Sequence, residues 1–215
     1  IHEINISNMR EKKRDQNLDI MKGIGILLVI FAHIFHNSGI IYQFHMPLFF
    51  ILSGAAMTYS SSRYSFKKKF KTLLIPYFVF SIICFVYWAL IESKFRPLHD
   101  EPIFGVFEEV NIKLQQLINI FTAINCKSAF IYNIVLWFLP CLFMAELLFS
   151  IIKGTKVEWI IDVLCIIVCY VAVSPSYGWP WCLGEAVVAV PLLSLGNRFY
   201  QPLMKVLKKK QYMQW

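Results

Sequence analysis

The chain has 215 residues, 58% of them hydrophobic and only 16% charged, with a mean hydropathy of +0.57. A water-soluble globular domain of this length carries more charge and breaks its apolar runs sooner, so that class is excluded. The formal net charge of +8 would suit a nucleic-acid binder, but the basic residues lie in short blocks between apolar runs, and nucleic acid is not expected as a partner.

Apolar stretches of about 17 residues or more recur, roughly what a bilayer crossing requires. Nineteen Phe, ten Tyr and six Trp suit lipid-facing surfaces and interfacial belts. The expected architecture is an all-α, polytopic transmembrane helix bundle. Residues 1–17 form a basic head with Arg10, Lys12, Lys13 and Arg14. Six spans follow, at Leu18–Asn37, Ile40–Tyr59, Leu73–Ile91, Ala129–Ile152, Trp159–Ser174 and Glu185–Tyr200, giving a membrane domain over 18–200. Residues 201–215 form a basic tail ending in KKKQYMQW, read as the start of a seventh span in a chain cut short.

A cytoplasmic N-terminus places seventeen of the 21 Lys and Arg residues inside, leaving only Lys94, Arg96, Lys113 and Lys127 outside. That asymmetry is what the positive-inside rule demands. The long outer connection, 92–128, carries apolar residues at helical spacing between Ile103 and Ile124. It is expected to be an interfacial helix on the outer leaflet, with a cover over an outward-facing site as the alternative. Cys84, Cys141, Cys165 and Cys169 lie in spans as small apolar fillers, and no metal site is expected from them. Cys126 and Cys182 fall in outer loops, where a disulfide between them is an open alternative.

The first span holds the most informative residues. Lys22 and His33 are eleven residues apart, a rotation of about 1100°, so they share a helix face about 16 Å apart along the axis. Lys22 stands at the cytoplasmic edge, where snorkelling alone would explain a lysine, and Asp19 one turn back is its natural ion-pair partner. His33 lies in the outer half of the span. An ionisable group there is a functional hypothesis by default, against the plainer role of an imidazole hydrogen-bonded to a neighbouring helix. Gly23 and Gly25 leave room beside that face. His36 and His45 gather at the same level, and His45 is a supporting residue. Ser53 offers a hydroxyl to a ligand, although a back-bond to its own helix is the simpler expectation. Glu146 is expected to be an inner-side partner for a basic residue, and Asn133 and Trp137 are cavity candidates the sequence does not place.

Four segments in this order, LDIMKGIGILLVIFAH, FHMPLFFILSG, KKKFKTLLIPYFVFS and LWFLPCLFMAELLF, resemble the acyltransferase-3 family of integral membrane O-acyltransferases. The resemblance covers Leu18 to about Asn197. Its signature, a basic residue, ten residues and then histidine, reads Lys22 to His33, with lysine where arginine is commoner. A lysine keeps the charge but lacks the bidentate fork. A second basic pair is matched nearest by Lys68 and Lys71. The family has about ten spans, so the resemblance also implies missing helices.

The resemblance implies a bacterial inner-membrane enzyme that moves an acyl group from acyl-CoA, usually acetyl-CoA, to a sugar hydroxyl of a polysaccharide, glycan or glycolipid. His33 would be catalytic, as general base or acyl carrier. Lys22, Lys68, Lys69 and Lys71 would bind the acyl-CoA phosphates, with Asp19, His45 and Ser53 in support. Burial would favour the neutral imidazole this requires. A transporter or export component for a glycan or small solute, using the same His and Lys, and an inactive fragment are the alternatives.

Overall fold

The computed structural model describes residues 15–35, 39–58, 65–91, 112–123, 136–172 and 179–212. Every regular element among the described residues is helical, as expected. In chain order these are α1 (Gln16–Ile34), α2 (Gly39–Thr58), α3 (Phe66–Leu90), α4 (Ile112–Thr122), α5 (Phe138–Ile152), α6 (Glu158–Ala172) and α7 (Leu183–Tyr212). A 3-10 turn, Pro180–Cys182, leads into α7. Among the described residues four helices have the length and apolarity to cross a membrane: α1, α2, α3 and the stretch Pro180–Leu207. Residues 1–14 of the basic head, Arg63, His36, Cys126, Asn133 and most of the 92–128 connection lie outside the described residues.

α1 begins at Asp15, whose carboxylate accepts from the backbone N–H of Asn17 at 3.0 Å and of Leu18 at 3.4 Å. This N-cap satisfies two amides that no preceding turn can reach. Tyr200 on α7 donates its hydroxyl to the same carboxylate at 2.9 Å, pinning the start of α1 to α7.

α3 starts about two turns before the expected Leu73, and so takes the whole basic run into the helix. It widens to a π turn at Phe70–Leu74, where the Ile75 N–H reaches the carbonyl of Phe70. Pro76 explains the widening: its ring cannot sit against the carbonyl four residues back, and it has no N–H to donate. α7 does not end at Tyr200 but runs on through Tyr212, past internal Pro191 and Pro202.

The main core gathers Phe50 of α2, Cys141, Ala145 and Phe149 of α5, and Ala186, Ala189, Val190 and Leu193 of α7. Two glycines set the α2–α7 distance. A Cβ on Gly54 would lie 2.0 Å from the carbonyl oxygen of Leu193, and one on Gly196 would lie 1.9 Å from that of Ile51. The backbones therefore touch, as small residues permit in membrane packing. Asn197 closes the contact, donating to the Gly54 carbonyl and to the Thr58 hydroxyl, each at 3.0 Å, while Thr58 donates back to the Asn197 carbonyl.

α4, within the 92–128 connection, docks on α3. Ile120 packs with Trp88, Tyr77 donates its hydroxyl to the Ile120 carbonyl at 2.9 Å, and Gln116 and Asn119 are buried. Cys182 is buried, and its thiol donates to the carbonyl of Ala123 at 3.0 Å; Cys126, its alternative disulfide partner, lies outside the described residues. Ile24, Leu27, Phe80, Ile83, Val163 and Ile167 are among many large apolar side chains exposed on α1, α3 and α6. Faces of this kind are stable in lipid and a liability in water.

Candidate functional site

The antiparallel α1 and α2 form a seam, meeting at His33 and His45 and at Gly25 and Phe49. On α2, His45, Phe49 and Ser53 recur every four residues and so share one stripe. Phe49 sits on Gly25, whose notional Cβ would lie 3.0 Å from the ring edge. A larger residue at position 25 would push the helices apart at mid-seam.

At one end, where α1 finishes and α2 starts, His33 and His45 face each other with ring centroids 6.3 Å apart and planes at 79°. Nδ1 of His33 is 2.8 Å from the Val29 carbonyl, and Nδ1 of His45 is 2.7 Å from that of Ile41. A carbonyl only accepts, so Nδ1 carries the hydrogen in both rings. In a neutral ring that leaves the Nε2 lone pair for accepting a proton or attacking a carbonyl carbon. His45 is buried, 3% exposed, whereas His33 is exposed. The tautomer of His33 is thus held by a backbone carbonyl, and the burial expected from the sequence is found at His45 instead.

At the other end, Lys22 is half-buried and lies within electrostatic range of Lys69, Asp19 and Glu146. Glu146 of α5 is fully buried. It accepts a short hydrogen bond from the Ser53 hydroxyl and pairs with the Lys69 ammonium at 2.6 Å. The expectation that Glu146 meets a basic residue is met. The simpler expectation for Ser53 is corrected: its hydroxyl leaves its own helix because a buried carboxylate needs every donor within reach. Lys69 is likewise drawn inward from the expected rim. Lys68 and Lys71 remain exposed on either side of it. Thr72 returns its hydroxyl to the Lys68 carbonyl at 3.0 Å.

One network escaped the sequence reading. Arg198 of α7 reaches both Glu158, at 3.0 Å, and Asp162, at 3.1 Å, on α6, and Ser194 donates to Asp162 at 2.7 Å. The signal was present: Glu158 and Asp162 are four residues apart on one face of an apolar run. Trp137 caps α5 and meets Phe138 with rings perpendicular, at 6.4 Å.

The fold defines a multi-pass helical membrane protein with imidazoles at one end of a helix seam and buried charge at the other. The family profile described as an acyltransferase domain, acyltransferase-3, matches residues 15–200. The chain belongs to this family and is a membrane acyltransferase. Neither a curated protein nor a solved structure matches it significantly.

Proposed function

We propose that the enzyme transfers an acetyl group from acetyl-CoA to a hydroxyl of a sugar or glycan, with the N-terminus in the cytoplasm of a bacterial inner membrane. One observation carries this reading: the α1–α2 seam joins a cationic inner end at Lys22 to an imidazole about 16 Å away along the same helix face. CoA is a polyanion on a long thin arm. Exposed Lys68 and Lys71, with Lys22 behind them, supply the charges its phosphates need. Lys69 contributes indirectly, because its pairing with Glu146 fixes the first turn of α3 against α5.

The pantetheine arm runs along the Lys22–His33 face of α1 and brings the thioester to His33. Nε2 of His33 takes the proton of the acceptor hydroxyl as its oxygen attacks the thioester carbonyl. The tetrahedral intermediate collapses with loss of the C–S bond, and the imidazolium returns the proton to the departing thiolate. His33 ends neutral, the sugar carries an ester, and CoA leaves as the thiol. An acyl-imidazole formed at the same Nε2 is the two-step variant.

The test supplies membranes containing the chain with labelled acetyl-CoA and follows label into glycan. His33→Ala is expected to abolish transfer in correctly inserted protein. Lys22→Ala is expected to raise the KM for acetyl-CoA about tenfold, the loss of one charge-assisted contact. Full transfer by His33→Ala, or a Lys22→Ala effect confined to the sugar, refutes the assignment. Label that crosses the bilayer without joining a glycan would favour transport instead.

A further inference from the structure

Among the described residues, the mechanism above uses one of two imidazoles at the His33–His45 end of the seam. His33 lies in the last turn of α1 and is exposed, so its ring orientation depends on its immediate neighbours. The χ2 torsion of histidine is broad and roughly two-fold. A flip of the His33 ring would take Nδ1 off the Val29 carbonyl, put a carbon in its place and turn Nε2 aside.

His45 supplies what an exposed ring lacks. It is buried, its own ring is anchored at Nδ1 by the Ile41 carbonyl, and its plane stands at 79° to that of His33 at a centroid separation of 6.3 Å. That separation and angle fall in the range of favourable edge-to-face pairs. One turn further along α2, Phe49 seats on Gly25 and holds the two helices together at the adjacent level. The His45 ring therefore stands against His33 as part of a rigid surface.

We propose that His45 is a positioning residue for His33. Its ring is the wall that keeps the His33 imidazole turned so that Nδ1 donates to Val29 and Nε2 faces the reacting groups. The kinetic consequence rests on the acetyl-transfer reading; the structural consequence does not.

The experiment uses the full chain in membranes with three variants. His45→Phe keeps a flat ring of similar size, His45→Leu fills the volume without one, and His33→Ala identifies the signals of the catalytic ring. Misplacing a catalytic group is costly, so kcat for transfer from acetyl-CoA is expected to fall about tenfold or more in His45→Leu. The KM for acetyl-CoA is expected to stay within about twofold, and His45→Phe to keep kcat within about threefold of wild type. Solid-state NMR of 15N-labelled imidazoles is read alongside. A single Nδ1–H tautomer at His33 is expected in the wild type and His45→Phe, and an averaged signal in His45→Leu.

Wild-type kcat in His45→Leu, no rescue by phenylalanine, or an unchanged His33 tautomer in His45→Leu each overturns the proposal. If the leucine variant fails to insert, His45→Gln, which also lacks an aromatic face, replaces it with the same expectations. If even the wild type shows no His33-dependent transfer, the acetyl-CoA reading fails, and the NMR signals alone still decide for or against His45.

Discussion

Lys69 and Glu146 form an ion pair whose two halves are unequally exposed, and this makes the consequences of breaking it unequal. The Glu146 side chain is 0% exposed and that of Lys69 is 32% exposed. Lys69→Met leaves a buried carboxylate without its cation, a defect that typically costs about 3–5 kcal/mol. Glu146→Gln leaves Lys69 able to reach water and gives Ser53 an amide oxygen to bond, so its cost stays near the roughly 1 kcal/mol of a net hydrogen bond. The double variant removes the stranded charge and is expected to be more stable than Lys69→Met alone. For a chain of this size each kcal/mol shifts the midpoint by about 2–4 °C. Lys69→Met should therefore melt roughly 6–20 °C below wild type and Glu146→Gln about 2–4 °C below. Thermal unfolding in detergent micelles, followed by tryptophan fluorescence, reads all four proteins. Additive losses in the double variant, or a greater loss in Glu146→Gln than in Lys69→Met, would refute the reasoning.

Two further outcomes follow from the packing. Gly54→Ala drives a methyl into the Leu193 carbonyl and is expected to destabilise by about 1–3 kcal/mol, whereas Gly23→Ala meets nothing within 4 Å and should be neutral or gain up to about 1 kcal/mol of helix propensity; the same melting experiment distinguishes them. Asp15→Ala removes both the N-cap of α1 and the acceptor of the Tyr200 hydroxyl, and should cost about 1–2 kcal/mol and speed hydrogen exchange at Asn17 and Leu18.

What the sequence revealed and what it withheld divide along a physical line. Lys22 and His33 lie on one helix, and helical geometry alone places them on one face. The membrane class came from run length and charge asymmetry, which are local properties too. Ser53 and Glu146 are 93 residues apart in the chain, and their contact depends on how α5 packs across α2, which no periodicity encodes. Lys69 stood within the basic run that the sequence marked, but one of three consecutive lysines had to turn inward, and the choice was made by the position of Glu146 on another helix. Arg198 was read as a topology signal, although Glu158 and Asp162 on α6 give it a structural role as well. The early start of α3 was missed because an apolar window cannot see a helix whose first turn is basic.

The glycine crossing of α2 and α7 bears on motion as well as on stability. Gly54 lies next to Ser53, so the face of α2 pressed against α7 adjoins the stripe that carries Ser53, Phe49 and His45. With two backbones in contact and Asn197 and Thr58 bonded in both directions, α2 has no freedom to slide along α7. α1 has no such crossing: its start is pinned by Asp15 to Tyr200, and beyond that its main neighbour is α2. The seam thus has one wall fixed by a backbone crossing and one held chiefly at its start, so on the proposed reading a long acyl donor would displace α1 rather than α2, leaving His45 in place.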